Sequence, residues 1–472
     1  MLVKTYGCAV CGIDALKITI EVNIARGKKF FMVGLPDNAV KESWYRIAAA
    51  TTNIGFRIPV KRTTVNLAPA DIRKEGSAYD LPIAIGMLAA SGQINSENVG
   101  DYIIMGELAL DGELRSIKGG LSIALKALSA GFKGVILPEE NANEIAMVEG
   151  VEILVAKNLN QVIAFFNGQA GLNNCAQYKS DLELTNDPIF DLDFADVKGQ
   201  ENVKRGLEIA AAGGHNVVLV GPPGSGKSML AKRMPTILPP LSLDEAMETT
   251  KIHSVAGTLG KNGGLITKRP FRAPHHTSSG AALVGGGSNP KPGEISLAHN
   301  GILFLDELPE FNRQVLEVMR QPIEDRTVTI ARAATSVDFP ANFMLVAAMN
   351  PSPSGDFYNP NQAHPDSEYA IHRYLNKISG PLLDRIDLHI EVNPVPYETL
   401  AEKGERECSA EIRKRVLKAR LIQNKRYSLN EGIHANAQLT PSLQEEHCRI
   451  DQVGETLLRN AMQKFGLSAR TY

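Results

Sequence analysis

The chain has 472 residues, 43% hydrophobic and 22% charged, which excludes a disordered or fibrous polymer and leaves room for roughly three domains. Lysine and arginine number 50 against 52 acidic residues, a formal charge of −2, so no global basic field marks a nucleic-acid binder. A local basic face survives that average. No apolar run approaches the ~20 residues of a membrane helix, and Asp14, Lys17 and Glu21 interrupt the first apolar stretch, so neither a membrane partner nor a signal peptide is expected. Five scattered cysteines exclude a disulfide scaffold and place the protein in the cytoplasm. Cys8 and Cys11 form a CxxC without a second pair or a nearby His, and read as strand residues rather than zinc ligands.

Residues 1–167 alternate strand-like and helix-like patterns. Strands are expected at Ile18–Ile24, Lys29–Val33, Val65–Leu67, Tyr102–Leu108 and Gly134–Leu137, and helices at Asn38–Asn53, Leu81–Ala90 and Leu121–Ala130. Residues 168–189 lose periodicity and read as a linker. A second α/β domain follows over 190–396, and beyond Pro394 and Pro396 a helical domain spans 397–472. There Ser409–Tyr427 holds seven basic residues against one acid, with Ile412, Val416 and Ala419 at helical spacing. No internal repeat or low-complexity tract is found.

Gly221, Pro222, Pro223, Gly224, Ser225, Gly226, Lys227 and Ser228 complete the pattern GxxxxGK[ST], after the apolar strand Asn216–Val220 and before a helical stretch. That is the context of a phosphate-binding loop. Glycines let backbone N–H groups wrap phosphates, and the helix N-terminus adds positive potential. Lys227 is expected to reach the β- and γ-phosphates of ATP, and Ser228 to ligate Mg²⁺. An ordinary glycine turn would not need Lys-Ser in place.

Downstream, the apolar strand 301–305 ends in Asp306 and Glu307. Asp306 suits the acid that holds Mg²⁺ through its water shell, and Glu307 the base that polarises an attacking water. A second apolar strand, Phe343–Met349, ends at Asn350, whose amide could orient the water, sense the γ-phosphate or simply make the turn before Pro351. Arg385 lies among Asp384 and Asp387. It is either half of a salt bridge or an arginine finger for a neighbouring subunit, the role favoured beside the other three motifs.

These motifs, in this order, resemble an AAA+ ATPase, with Phe194–Gln200 similar to the segment such proteins place beside adenine. Asp306 lies 79 positions after Lys227, and the extra length includes Leu283–Ile295. This stretch resembles the hairpin inserted in the second helix of the magnesium-chelatase and replicative-helicase branch. Thr327–Val337 resembles the hairpin that such rings point into their pore. Arg269–Ser278, Gly34–Asp37, Val65–Asp71 and Arg73–Gly76 bring the likeness to the YifB/ComM group of magnesium-chelatase-like proteins, over nearly the whole chain. The resemblance implies an α/β fold: an AAA+ P-loop core with a helical lid, preceded by a Lon-protease-like (ribosomal S5-type) domain. It implies a hexameric ring that uses ATP and Mg²⁺ to act on DNA; in the ComM branch, a helicase driving branch migration during integration of incoming DNA. Lys291 and Arg332 are then candidate pore contacts, although Arg332 could instead pair with Asp325. The adjacent His275 and His276 cannot face one ion from a regular strand, so a structural or nucleotide-proximal role is expected. Arg470 resembles the arginine of the family's second sensor helix; the chain ends at Tyr472, where the family continues, so the lid is expected to be incomplete.

A Lon-type protease needs a serine activated by a lysine. In the matching registers Ser77 is followed by Ala78 where the serine belongs, and Gly119-Gly120-Leu121 is followed by Ser122 rather than lysine. Lys118 and Lys126 are out of register, and Ser77 has no evident base, so a non-catalytic scaffold is expected. Arg57, Lys61, Arg62, Arg73 and Lys74 cluster around one strand and turn, where phosphate contact and plain solvation are both open. Three functions remain: a DNA motor, favoured; a chelatase-type motor remodelling a protein partner; and an ATP-dependent protease, disfavoured by the missing dyad.

Overall fold

The computed structural model describes residues 1–59, 61–181, 190–259, 263–287, 290–331, 336–355, 366–401, 404, 406–430 and 432–466. The chain divides into two compact units that do not follow sequence order. Unit 1 comprises Met1–Asn186 with Leu243–Ile266, and unit 2 comprises Asp187–Ser242 with Thr267–Tyr472.

Unit 1 is built on an eight-stranded mixed sheet. Its strands are β1 (Leu2–Cys11), β2 (Asp14–Ala25), β3 (Phe30–Val33), β4 (Arg62–Ala68), β5 (Tyr102–Ile104), β6 (Gly134–Pro138), β7 (Glu152–Ala156) and β8 (Asn173–Asn174), in the order β8-β7-β6-β5-β1-β2-β4-β3. Strand β6 is buried at all five positions, as a parallel strand covered on both faces requires. In β4 burial alternates, with Thr63, Val65 and Leu67 inward, so one face there is packed and the other is not. The packed side is covered by α1 (Ser43–Asn53) and by α2 (Asp80–Ala90), every residue of which is buried. The helix expected at Asn38–Asn53 is interrupted at Glu42, giving a short turn of helix Asn38–Lys41 before α1. The strand expected at Tyr102–Leu108 likewise ends at Ile104, and Glu107–Leu108 pairs with Leu114–Arg115 as a separate hairpin.

Helix α3 (Gly120–Ser129) packs against Leu243–Ala256, the helix contributed from far along the chain. Ser254 Oγ accepts from the Gly119 N–H at 2.9 Å, and Lys251 Nζ reaches Asp14 at 2.8 Å. These contacts explain why residues 243–266 belong to the first unit although unit 2 flanks them on both sides.

Unit 2 holds a five-stranded all-parallel sheet. Strands β9 (Val217–Val220), β10 (Phe271–Arg272), β11 (Ile302–Leu305), β12 (Met344–Met349) and β13 (Leu388–Glu391) take the order β10-β11-β12-β9-β13. Helices α4 (Glu201–Gly213) and α5 (Lys227–Ile237) flank β9 in sequence, and α6 (Ser409–Arg426) packs on both. Ile412 and Val416 are its buried seam, while Arg415 binds Glu208 at 2.7 and 3.0 Å. Part of the basic run in this helix is therefore structural. Among the described residues, no helix is long and apolar enough to cross a membrane.

Candidate functional site

The central strands of the unit 2 sheet end on one side in the residues that carry chemistry. After β9, the loop Gly221–Ser228 turns into α5, with Gly226 at φ 92° as the residue before the helix. Among the described residues no side chain caps that helix start, which leaves its first amides as donors toward the loop. Lys227 is buried and donates to Gly221 O at 2.8 Å, Pro222 O at 2.9 Å and Asn350 Oδ1 at 3.2 Å. Desolvation lowers its pKa against the pull of Asp306. A cation held on neutral oxygens beside uncapped amides fits a phosphate group. The buried Ser225 hydroxyl, which has no hydrogen-bond partner among the described residues, belongs to the same cradle.

At the end of β11, Asp306 Oδ2 accepts from Ser228 Oγ at 2.6 Å. A hydroxyl and a carboxylate meeting at the mouth of a phosphate cradle are a suitable oxygen pair for Mg²⁺. Glu307 follows in the left-handed region at φ 53°, which swings its side chain out, 60% exposed. Its Oε2 lies 3.3 Å from His276 Nδ1. Asn350, at the end of β12, is held by Tyr374: the buried phenol takes a hydrogen bond from the Asn350 backbone, and burial pushes its pKa up to about 12. Arg385 bridges Glu324 at 2.7 Å and is 15% exposed, so within one chain the salt bridge is formed. Lys291 is exposed on the two-residue strand Lys291–Pro292, paired with Gly285–Gly286. Arg332 and Arg470 lie outside the described residues.

Models of the magnesium chelatase subunit ChlI match residues 193–400, those of subunit ChlI of Mg-chelatase residues 20–141, and those of the ChlI C-terminal region residues 406–472. The competence protein ComM of Haemophilus influenzae is 44% identical over 473 residues, covering 100% of this chain and 91% of that protein. The chain belongs to the ComM/YifB family of magnesium-chelatase-like AAA+ proteins. YifB of Escherichia coli K12 is 43% identical over 472 residues, covering 98% of this chain and 89% of the relative. Lon protease 2 of Bacillus subtilis is 27% identical over 190 residues, 34% of this chain and 33% of the protease.

Against that Lon likeness, Ala78 fills the serine register of this ComM/YifB-family chain, and the serine beside it and the one in the lysine register are both engaged internally. The Ser77 hydroxyl, expected to lack a base, is hydrogen-bonded to the Glu107 carboxylate. Ser122 Oγ donates to Ile13 O at 2.5 Å. Lys74 departs from the expected basic cluster. It is fully buried, donates to Pro69 O, and desolvation lowers its pKa, whereas Arg57, Lys61, Arg62 and Arg73 are exposed.

Sequence reasoning left His276 between two roles and passed over Tyr374 altogether. The first was signalled only by its place in Arg269–Ser278. No local signal marked the second, because its partner lies 24 positions upstream on another element.

Proposed function

We propose that this AAA+ ATPase hydrolyses ATP·Mg²⁺ in a ring assembly and uses the cycle to move on DNA, as a ComM-like helicase promoting branch migration. The observation that carries the hydrolytic part is the convergence of Lys227, Ser228, Asp306, Glu307 and Asn350 around one uncapped helix start. Lys227 and the loop amides hold the β- and γ-phosphates, while Ser228 and Asp306 hold the cation. Mg²⁺ bound there would draw charge from the phosphoryl oxygens. Glu307 takes a proton from the attacking water as the new P–O bond forms and the bond to the bridging oxygen breaks, releasing ADP and phosphate. Asn350 positions against the γ-phosphate. Arg385, exchanging Glu324 for a neighbour's nucleotide, steadies the transferring group.

DNA rather than a protein partner is favoured because the likeness to ComM, whose name marks it as a competence protein, spans both units. The test is ATP hydrolysis with and without single-stranded and branched DNA at two salt concentrations, with Lys227→Ala and Glu307→Gln as controls. Stimulation that fades with salt is expected. Robust hydrolysis indifferent to every DNA would overturn the DNA reading and leave the protein remodeller. Lys227→Ala is expected to abolish nucleotide binding, read with a fluorescent ATP analogue.

A further inference from the structure

One face of the unit 1 sheet is open. Strand pairing places Val3, Val22, Val65 and Met32 side by side across β1, β2, β4 and β3, on the packed side. One residue away in each strand the row is Leu2, Asn23, Thr64 and Phe31, on the other side. Here Leu2 is 57% exposed and Phe31 42%, and Val33 in the next row is 48% exposed. Period-two alternation should give such a solvent face polar residues. Instead it presents apolar groups at both ends of a row with two small polar side chains between them.

Charge on this face is one-sided. Arg62 lies over the Phe31 ring, its guanidinium carbon 5.4 Å from the centroid. Arg26, Lys28 and Lys29 fill the turn from β2 into β3, and Lys61 precedes Arg62 at the entry to β4; all are exposed. Among the described residues none of these five side chains has a carboxylate partner. The carboxylate on the face, Glu21, is neutralised by Lys4 at 3.3 Å and engaged by Asn66 at 3.0 Å. Five exposed cations without a carboxylate partner among the described residues leave a local positive field beside the apolar ends of the row.

The geometry points to a binding face for single-stranded DNA on the open side of β1-β2-β4-β3, with Phe31 as stacking platform and the β2–β3 turn with Arg62 as phosphate clamp. Four strands span about 14 Å at their ordinary spacing, the breadth over which open four-stranded sheets stack about two or three bases. Arg62 above Phe31 leaves the ring's position defined while keeping a cation beside any base that replaces it. Asn23 and Thr64 supply hydrogen-bonding groups between the apolar ends. The proposal rests on the DNA reading above for its choice of DNA, but not on hydrolysis, because the face lies wholly in unit 1.

The test uses the full chain without nucleotide and a fluorescein-labelled oligodeoxythymidine, read by anisotropy across a salt series. Phe31→Ala is expected to weaken binding about 5–150-fold, the worth of one stacked base, with the salt slope unchanged. Replacing Lys28 and Lys29 by alanine together should weaken it and flatten the salt slope by about 1.4. Tyr45→Ala, an exposed aromatic on α1 over the packed side, should change nothing. Hydrolysis of ATP without DNA should be the same in all these variants, which shows that they fold. Unchanged affinity in both face variants would overturn the proposal. So would a Phe31→Ala chain with normal affinity but altered sedimentation, which would make the face a subunit interface. Failure of DNA to stimulate hydrolysis, with face-dependent binding intact, would strike the motor reading and leave this site standing.

Discussion

Two helix starts in this chain share their local design and differ in what fills them. Helix α3 in unit 1 follows Gly119 at φ 74°, and α5 in unit 2 follows Gly226 at φ 92°; neither has a side-chain cap from that residue. In unit 1 the positive end is closed from within. The buried Glu144 carboxyl takes hydrogen bonds from the Gly120 backbone, Ser254 and Asn141, and a Cβ at Gly120 would lie 2.0 Å from its Oε1. In unit 2, among the described residues, no carboxylate takes the cradle's backbone amides; Asp306 meets only the Ser228 hydroxyl, and Lys227 rests on neutral oxygens. The same backbone device is structural where the fold supplies its own acceptor and chemical where it leaves one out.

The largest expected effect tests whether the open site is completed from outside the chain. Arg385→Ala should lower ATP hydrolysis by ~10³–10⁵-fold if the arginine serves a neighbour's nucleotide. Mixing Arg385→Ala with Lys227→Ala chains should then restore part of the rate through composite sites. A small loss, matched by an equal fall in melting temperature in Glu324→Gln, would reduce Arg385 to the salt bridge it makes with Glu324.

Next comes the base. Glu307→Gln should bind ATP normally and lose ~10²–10⁴-fold in turnover, measured as single-turnover phosphate release. His276→Ala should lose less, because His276 touches Glu307 at 3.3 Å and acts only through it. Equal ATP turnover in Glu307→Gln and wild type would sink the assignment of the base.

The open site was legible in the sequence and the closed one was not, for a physical reason. Phosphate is gripped by consecutive amides, so Gly221–Ser228 had to be contiguous, and Asp306, Glu307 and Asn350 stand where apolar strands visibly stop. Glu144 meets Ser254 across 110 positions, through a helix that lies between the P-loop and β10 in the chain. No periodicity reports such a pairing. The same limit hid Lys74, whose burial depends on the turn that packs over it, and the Leu2-to-Phe31 row, which exists only once strand register is set.

Opening the closed helix start should cost stability rather than activity. Glu144→Ala leaves buried donors without an acceptor, a loss of about 2 kcal/mol and about 4–8 °C in melting temperature. Burial raises the Glu144 carboxyl above its ordinary 4.5, against the hydrogen bonds from Ser254, Asn141 and Gly120. The folded state therefore keeps this proton to higher pH than the unfolded chain. Its contribution is fully present below 4.5 and declines as pH rises through the folded value. Glu144→Gln, which cannot ionise, should flatten that part of the stability-against-pH curve.

The smallest effect belongs to the serine that the Lon likeness brings forward. Ser77 is held by the Glu107 carboxylate, which Arg115 also approaches at 3.5 Å, so its hydroxyl has an acceptor that is itself engaged. A nucleophile needs a base free to take its proton and an electrophile site beside it, and the Glu107 carboxylate is shared between the Ser77 hydroxyl and Arg115. Ser77→Ala should therefore leave ATP hydrolysis within about twofold and cost about 1 kcal/mol for one hydrogen bond. The wild-type chain should release no peptide from a casein substrate, with or without ATP. Peptide release that Ser77→Ala abolishes would break the comparison, making unit 1 a second open site.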